Sequence, residues 1–162
     1  MIRSVPAALL LVALGTAACG YRMGPGEPLG GAVSVALPVF DNRTWRRGVE
    51  TDLARHLLTE VHTRTRLEVR ETGADLVVRG SISRIEEDPL SQTTDEALRE
   101  SSILVTAEVR VIDGRTGEER VPRKTITERE SFVPGIGESL RTARAEALRR
   151  IASRVVDLLE AP

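Results

Sequence analysis

The strongest constraint on the fold is an alternation of apolar and polar residues in the segment between Ile103 and Ile112. The polar positions include Thr106, Glu108 and Arg110, and the apolar positions between them are Ile103, Val105, Ala107, Val109 and Val111. A period of two predicts a β-strand with one buried face and one polar face. A sheet that contains this strand needs helices on one face only, and its other face is left to solvent or to a partner.

Two segments are predicted to form the amphipathic helices that cover the buried face. The first runs from Trp45 to about Thr63, and its apolar stripe repeats every four residues: Trp45, Val49, Leu53, Leu57 and Val61. The second covers about residues 138–159, and its stripe contains Leu140, Ala147, Leu148, Ile151, Val155, Leu158 and Leu159. Most charged residues of both segments lie off these stripes, as expected of helices with one buried face.

The other strands follow from shorter patterns. They are predicted over residues 32–40, 74–86 and 118–132, with a short lead-in at 67–70 and a long polar loop at 87–101. Pro38 ends the first strand, and the polar character of the last strand is typical of a sheet edge. Val77 and Ile85 are out of phase in the 74–86 strand, which indicates a bulge or burial on both faces. The predicted fold is α+β, a two-layer sandwich with one mixed sheet of about four strands and two helices on one face, in the order β-α-β-β-β-α.

The N-terminus has the pattern of a secretory signal peptide over residues 1–18. Arg3 supplies a positive charge, and the apolar run Val5–Leu14 is too short to span a membrane. Small residues then lead to a cleavage site between Ala18 and Cys19. Residues 19–31 are rich in Gly and Pro, which predicts a tether, and residues 32–162 form the folded domain.

Cys19 is the chain's only cysteine, and Ala17-Ala18-Cys19 resembles the end of a bacterial lipobox, with Thr16 where Leu is usual. We expect Cys19 to carry a diacylglycerol on its thiol and an N-acyl chain such as palmitate, and we expect no other cofactor. Gly20, where Asp signals inner-membrane retention, favours the outer membrane, on its periplasmic face. The alternative is an ordinary secreted protein in which this cysteine is incidental.

The sequence offers little for catalysis or for nucleic-acid binding. The net charge is -1 and aromatic residues make up 2%, which argues against a nucleic-acid partner. His56 and His62 are six residues apart on the first helix, about 240° around its axis, so they do not converge on a metal ion. No nucleotide-binding loop or hydrolase motif is present. We therefore expect a binding module and not an enzyme, with no metal site.

Basic residues on the predicted strands are the candidate contacts for a partner or ligand. They are Arg79, Arg84, Arg123, Lys124 and Arg129, and further arginines flank Trp45 at positions 43, 46 and 47. The planar guanidinium group binds phosphate through two hydrogen bonds at once. Glutamates interleaved along the same strands argue against a uniformly positive patch, so the alternative interpretation is a solvated charged face.

The amino-acid sequence around the first strand resembles that of the LptE family of lipopolysaccharide-assembly outer-membrane lipoproteins. The similar segments are Cys19-Gly20-Tyr21-Arg22, residues 35–44 (Val-Ala-Leu-Pro-Val-Phe-Asp-Asn-Arg-Thr) and Arg47-Gly48-Val49-Glu50. The resemblance implies a domain that lies inside the β-barrel LptD, plugs it and assists its assembly while lipopolysaccharide passes to the outer leaflet. It also implies contact with lipopolysaccharide itself. A lipid-anchored or secreted periplasmic module of another envelope complex is the alternative.

Overall fold

The structure, a computed structural model, describes residues 26–89, 101–133 and 140–160. The predicted signal peptide, Cys19 with the first part of the tether, and most of the predicted polar loop lie outside these residues. Within the described part, no helix has both the length and the apolar character needed to cross a membrane.

The described chain forms one sheet and two helices, which confirms the predicted α+β class. The elements are a 3-10 turn at Leu29–Gly31, β1 (Ser34–Ala36), β2 (Asp41–Asn42), α1 (Val49–Arg64), β3 (Glu68–Val69), β4 (Leu76–Pro89), β5 (Ser101–Asp113), β6 (Glu119–Phe132) and α2 (Leu140–Asp157). Within the described residues the sheet has six strands instead of about four. The difference arises because the first predicted strand is divided into β1 and β2, and because the 67–70 lead-in is the separate strand β3.

The sheet is mixed, with the strand order β3-β1-β4-β5-β6 and with β2 paired to β4. Strand β1 is parallel to β3 and β4, whereas β4, β5 and β6 are antiparallel to their neighbours. Val35 of β1 pairs with Leu76, and Asp41 of β2 pairs with Ser81 further along β4. Pro38 lies between these two ladders, since its ring nitrogen cannot donate to a neighbouring strand.

The core lies between one face of the sheet and the two helices. It includes the five alternating apolar residues of β5, as predicted, and the α1 residues Val49, Leu53, Leu57 and Val61. The helices run parallel, because Arg144 near the start of α2 lies 3.9 Å from Asp52 near the start of α1, and Arg64 at the end of α1 lies 2.6 Å from Asp157. Strands and helices therefore form the two predicted layers.

The predicted start of the first helix at Trp45 is wrong. Trp45 is 78% exposed, and α1 begins only at Val49, after Gly48 with a φ of 86°. The segment before the helix is folded around the Asn42 side chain, which accepts a hydrogen bond from the Thr44 backbone N–H at 2.9 Å and donates one to the Arg46 carbonyl at 2.6 Å. Residues 45–48, which were predicted to form the first helical turn, instead belong to this turn and to the link between it and α1.

Strand β4 contains the bulge that one interpretation of its sequence predicted. The register with β5 shifts between Ile82 and Arg84, so Ile85 returns to the buried face. The strand then continues to Pro89, which pairs with Ser101 at the start of β5. The predicted start of the polar loop at residue 87 is therefore wrong, because Glu87, Asp88 and Pro89 belong to β4.

The chain leaves the tether at one end of the domain, which we call the tether end. Here the Leu29 N–H donates to the Leu159 carbonyl at 2.7 Å, and Pro28 forms a bridge with Glu160. The last residues of the segment assigned to the tether are thus attached to the end of α2. The β5–β6 turn lies at the same end, since the Gly114 N–H donates to the Asp75 carbonyl at 2.8 Å. The opposite end, where α1 and α2 begin, is the distal end.

Candidate interaction surface

Neither helix covers the second face of the antiparallel strands, which we call the open face. Its side chains follow from the strand alternation and register, and they include Arg79, Ser81, Arg84, Leu104, Thr106, Glu108, Arg110, Thr125, Thr127 and Arg129. Thr106 and Thr127 lie near its centre, with their hydroxyl oxygens 3.1 Å apart. Apart from Leu104, the side chains named on this face are therefore polar, as the alternation in β5 predicts.

Four of the five predicted contact residues lie on the open face. Arg79 and Arg84 differ in sequence parity, but the bulge between them returns Arg84 to the same face. Arg129 pairs in register with Leu104, and Arg123 reaches Glu108. Lys124 is not brought together with them. It pairs in register with Val109, so it lies on the face of β6 that turns toward the helices.

Arg123 thus has a carboxylate partner, and two more of these arginines also have partners on the surface. The Arg84 Nη2 atom lies 2.6 Å from Glu86 Oε1. The Arg129 Nη1 atom donates to the Ser102 hydroxyl at 2.8 Å. By contrast, no carboxylate of the described residues lies within salt-bridge distance of the exposed Arg79 guanidinium group. Among the four predicted contact residues on the open face, Arg79 is thus the one whose guanidinium group is most available to a ligand.

Arg79 lines a small cleft in the open face, which we call the arginine cleft. The cleft has a volume of about 160 Å³, and its charged side chains are Asp41, Arg43, Arg79, Glu108, Arg110 and Arg123. Glu108 Oε2 lies 3.7 Å from Arg43 Nη1 and 3.5 Å from Arg123 Nη1. The sequence interpretation did not select Glu108 or Arg110. Their position on the polar side of the β5 alternation was the signal that could have found them.

The polar sequence of β6 has a second explanation on its helix-facing side. Glu128 Oε1 accepts a hydrogen bond from Arg154 Nε at 3.0 Å, and Glu130 Oε1 lies 2.7 Å from Arg150 Nε. Both glutamates are mostly buried by these α2 arginines, with 12% and 14% of their side chains exposed. The edge strand is therefore polar on both faces, and one of those faces is used for packing.

Two aspartates fix the tether end of the sheet. Asp75 Oδ2 accepts hydrogen bonds from the Val33 and Ser34 N–H groups at 3.0 Å and from the Ser34 hydroxyl at 2.8 Å, and these bonds lower the pKa of Asp75. Asp113 closes the β5–β6 turn. The Arg120 guanidinium group, with help from backbone N–H groups of the turn, holds the pKa of Asp113 far below its usual range.

At the distal end, Trp45 is presented to solvent by a well-bonded loop. The Arg46 guanidinium carbon lies 4.6 Å from the centre of the Trp45 ring, within the range of a cation–π contact. Arg46 is itself paired with Glu87 of β4. The indole ring is thus exposed, although its neighbours are fixed by hydrogen bonds and an ion pair.

The described residues contain no group of three or more His, Cys, Asp or Glu side chains placed to hold a metal ion.

A family model described as LptE, lipopolysaccharide-assembly, matches residues 32–161. The chain belongs to the LptE family. The match begins just before β1 and continues beyond α2, so it includes every strand and both helices that the structure describes. The resemblance to the LptE family that the N-terminal segments suggested is therefore confirmed over residues 32–161. No curated protein matches the sequence.

Several solved structures share the fold described here at low sequence identity. Protein XCC0632 from Xanthomonas campestris is 12% identical, with a TM-score of 0.56 over 83% of this chain and 88% of that one. The PelC dodecamer from Paraburkholderia phytofirmans is 13% identical, with a TM-score of 0.52 over 84% of this chain and 95% of that one. The hypothetical protein CT253 from Chlamydia trachomatis is 14% identical, with a TM-score of 0.52 over 76% of this chain and 93% of that one. At these identities the likeness establishes the fold alone.

Proposed function

We propose that this chain is a non-enzymatic outer-membrane lipoprotein that lies inside the β-barrel LptD. There it plugs the lumen and assists assembly of the translocon that delivers lipopolysaccharide to the outer leaflet. The family match over residues 32–161 carries this proposal, since the family is described by its part in lipopolysaccharide assembly.

The open face supports the proposal on physical grounds. The interior of a membrane β-barrel is polar, so a domain that fills it needs a polar surface without a covering helix layer. The open face has this character from Arg84 through Thr106 to Thr127. The apolar side chains of the sheet lie beneath the helices, where they stabilise the domain by itself.

Lipidation of Cys19 would hold the domain at the periplasmic face of the outer membrane. Each buried CH₂ group contributes about 0.8 kcal/mol, so a single acyl chain binds a membrane marginally and two or more bind it durably. A diacylglycerol and an N-acyl chain on Cys19 meet this requirement.

Co-purification from detergent-solubilised outer membranes tests the proposal. We expect a large β-barrel protein to accompany the chain in near-equal amount, and we expect depletion of the chain to lower the lipopolysaccharide exposed at the cell surface. Recovery of the chain as a monomer without a barrel would contradict the proposed plug.

A matched pair of substitutions tests the open face as the contact. Thr127→Arg places a bulky charge near the centre of the open face, whereas Thr63→Arg places the same group on the exposed side of α1. We expect the first variant to reduce barrel recovery and the second to leave it unchanged. Circular dichroism of both variants controls for folding. Equal recovery from both variants would show that the barrel contacts another surface.

A further inference from the structure

Strand β6 is the last strand of the sheet, and among the described residues no other element pairs with its outer side. It forms a ladder with β5 on its inner side. Alternate residues of such a strand turn their backbone N–H and C=O groups away from the sheet, and these unpaired groups are a template for another strand. We call the outer side of residues 124–132 the free edge.

The two parts of β6 differ in their protection against a further strand. Near its start, the strand contains Pro122, which cannot donate a hydrogen bond, and its register with β5 shifts between Val109 and Val111. From Lys124 to Phe132 the register continues without a shift, and this part contains neither Gly nor Pro. Prolines and bulges are devices that prevent contact between sheet edges. The free edge has neither.

Two opposite charges lie near the ends of the free edge, on the face of β6 that turns toward the helices. Lys124 is exposed, and no carboxylate of the described residues lies within salt-bridge distance of its ammonium group. Glu130 Oε1 lies 2.7 Å from Arg150 Nε, but the contact lacks hydrogen-bond geometry, so this oxygen has no donor among the described residues. The Glu130 carboxylate therefore retains capacity for a second cation.

We propose that the free edge pairs with the free edge of a second copy of this chain, antiparallel and with Thr127 opposite Thr127. In this register Lys124 of each copy lies opposite Glu130 of the other. Two opposite-charge pairs then form across a two-fold axis, and such pairs stabilise a sheet. The edge is thus complementary to itself, which a two-fold dimer requires.

The proposed register also continues both faces of the sheet. Facing residues of an antiparallel pair project from the same face, so the helices of both copies lie on one side of the joined sheet. On the open face, the Thr127 hydroxyl oxygen already lies 3.1 Å from that of Thr106. The dimer extends this pair of threonines into a row of four across the axis.

Neighbouring registers that keep the helices on one side are less favourable. Centring the pair on Ile126 places Arg123 opposite Arg129, and centring it on Glu128 places this carboxylate opposite itself. Like charges directly opposite each other destabilise a sheet. Registers centred nearer the start of β6 bring Pro122 further into the ladder, where its missing N–H costs a hydrogen bond. The charges and the proline therefore select one register.

Disulfide cross-linking of the purified mature chain in detergent tests this register. Thr127→Cys places a thiol opposite its own copy, where the Cβ atoms of facing residues are about 4.5–5.5 Å apart. We expect a covalent dimer on a non-reducing gel after oxidation with copper–phenanthroline. The unsubstituted chain, treated in the same way, measures any cross-linking through Cys19.

Thr125→Cys is the matched control, because it lies on the same face of the same strand. In the proposed dimer it faces Arg129 of the second copy, and the two introduced thiols are about 14 Å apart along the strands. We expect it to cross-link at least about fivefold more slowly than Thr127→Cys, because a disulfide needs Cβ atoms about 3.5–4.5 Å apart.

Charge reversal in the Thr127→Cys background tests the two ion pairs. Lys124→Glu should slow cross-linking about fivefold or more, because it places a carboxylate opposite Glu130 in both halves of the dimer. Adding Glu130→Lys should restore the rate to within about twofold, since it reverses both members of each pair. Circular dichroism of each variant separates loss of folding from loss of pairing. If the double reversal does not fold, the comparison of Lys124→Glu with its parent still decides.

Equal cross-linking of the Thr127→Cys and Thr125→Cys chains would overturn the proposal, as would the absence of a covalent dimer of the first or an unchanged rate with Lys124→Glu. Oxidation of the Thr127→Cys chain in isolated outer membranes checks for another occupant. A product heavier than two chains, in place of the dimer, would show that a different protein pairs with the edge and would also overturn it. Cross-linking of the purified chain needs no barrel partner, so its failure and the failure of the proposed plug are distinguishable.

Discussion

Gly80 shows how a single residue determines the packing between the sheet and the loop that precedes α1. A Cβ atom at this position of β4 would lie far inside contact distance of the Phe40 ring and of the Glu108 carbonyl oxygen. Phe40 is 3% exposed and belongs to the core. The Phe40 ring can therefore pack against β4 only because Gly80 has no side chain.

Gly80→Ala should lower the free energy of unfolding by about 1–3 kcal/mol, because the added methyl group overpacks a filled region. Urea denaturation followed by circular dichroism measures the change. Adding Phe40→Leu should make the combined loss smaller than the sum of the two single losses, since the smaller side chain relieves part of the collision. Additive losses would show that the Phe40 ring is not the group that resists the methyl.

Trp45 gives the opposite expectation, although the four-residue spacing assigned it to the same stripe as Leu53. Trp45→Ala should change the free energy of unfolding by no more than about 0.5 kcal/mol, because the ring is already exposed. Leu53→Ala should lower it by about 2–5 kcal/mol, because Leu53 is fully buried. Equilibrium urea unfolding compares the two, and similar losses would contradict the placement of Trp45.

Asp113 makes stability depend on pH in the acid range. Its pKa is lower in the folded chain than in the unfolded chain, because Arg120 and two backbone N–H groups bind the ionised form. The unfolded state consequently binds more protons below its own pKa of about 3.9. This contribution is present above that value and is lost as the pH falls toward the folded pKa.

Asp113→Asn should therefore lower the melting temperature at pH 6 and flatten its decrease between about pH 4 and pH 2. Thermal unfolding across this range checks the prediction. Glu71→Gln is the control, since Glu71 is exposed and forms no ion pair among the described residues. A parallel shift of the Asp113→Asn curve, with no change in slope, would show that the carboxylate does not titrate as argued.

At the scale of elements, strand β6 is fixed to α2 by ion pairs across the layer boundary. A double-mutant cycle with Glu128→Ala and Arg154→Ala should give a coupling energy of about 0.2–1 kcal/mol, because Arg154 is 65% exposed and solvent screens the pair. The coupling should shrink in 1 M salt. A coupling of zero at low salt would mean that burial of the Glu128 stem, and not the ion pair, holds the strand.

The elements that the sequence predicted well are those with long, uniform periodicity. The alternation of β5 and the apolar stripe of α2 each persist for enough residues to specify a face. Strands β2 and β3 are only two residues long, so they carry no period, and their existence depends on the parallel ladders with β4 and β1. The position of Lys124 could have been predicted from the sequence. Side chains alternate between the two faces of a strand, so Lys124, at an even-numbered position, lies on the opposite face of β6 from Arg123 and Arg129.

Only some of the residues that line the arginine cleft were selected from the sequence. Arg79 and Arg123 are 44 positions apart, and they lie near each other because β5 places Glu108 and Arg110 between their strands. Strand order and register are properties of the assembled sheet, so the composition of the cleft could not be derived from the spacing of basic residues.

At the scale of the whole molecule, the proposed anchor can be tested by itself. Cys19→Ser should abolish labelling by a radioactive fatty acid and should release the chain from the membrane fraction, because the thiol is the proposed site of the lipid. Mass spectrometry of the native N-terminus provides the independent measurement. Labelling that persists in the Cys19→Ser variant would contradict lipidation at this residue.

The hydrogen bond between Leu29 and Leu159, and the bridge between Pro28 and Glu160, attach the last residues of the predicted tether to the folded domain. Residues 20–27 extend over at most about 28 Å at 3.5 Å each, whereas β4 alone, with 14 residues, is about 46 Å long. The chain's entry into the domain and its exit from α2 share one corner. If Cys19 carries the proposed lipid, a fluorescent reporter joined just after α2 will lie near the bilayer surface, and one attached beside Trp45 will lie at the distal end, away from it.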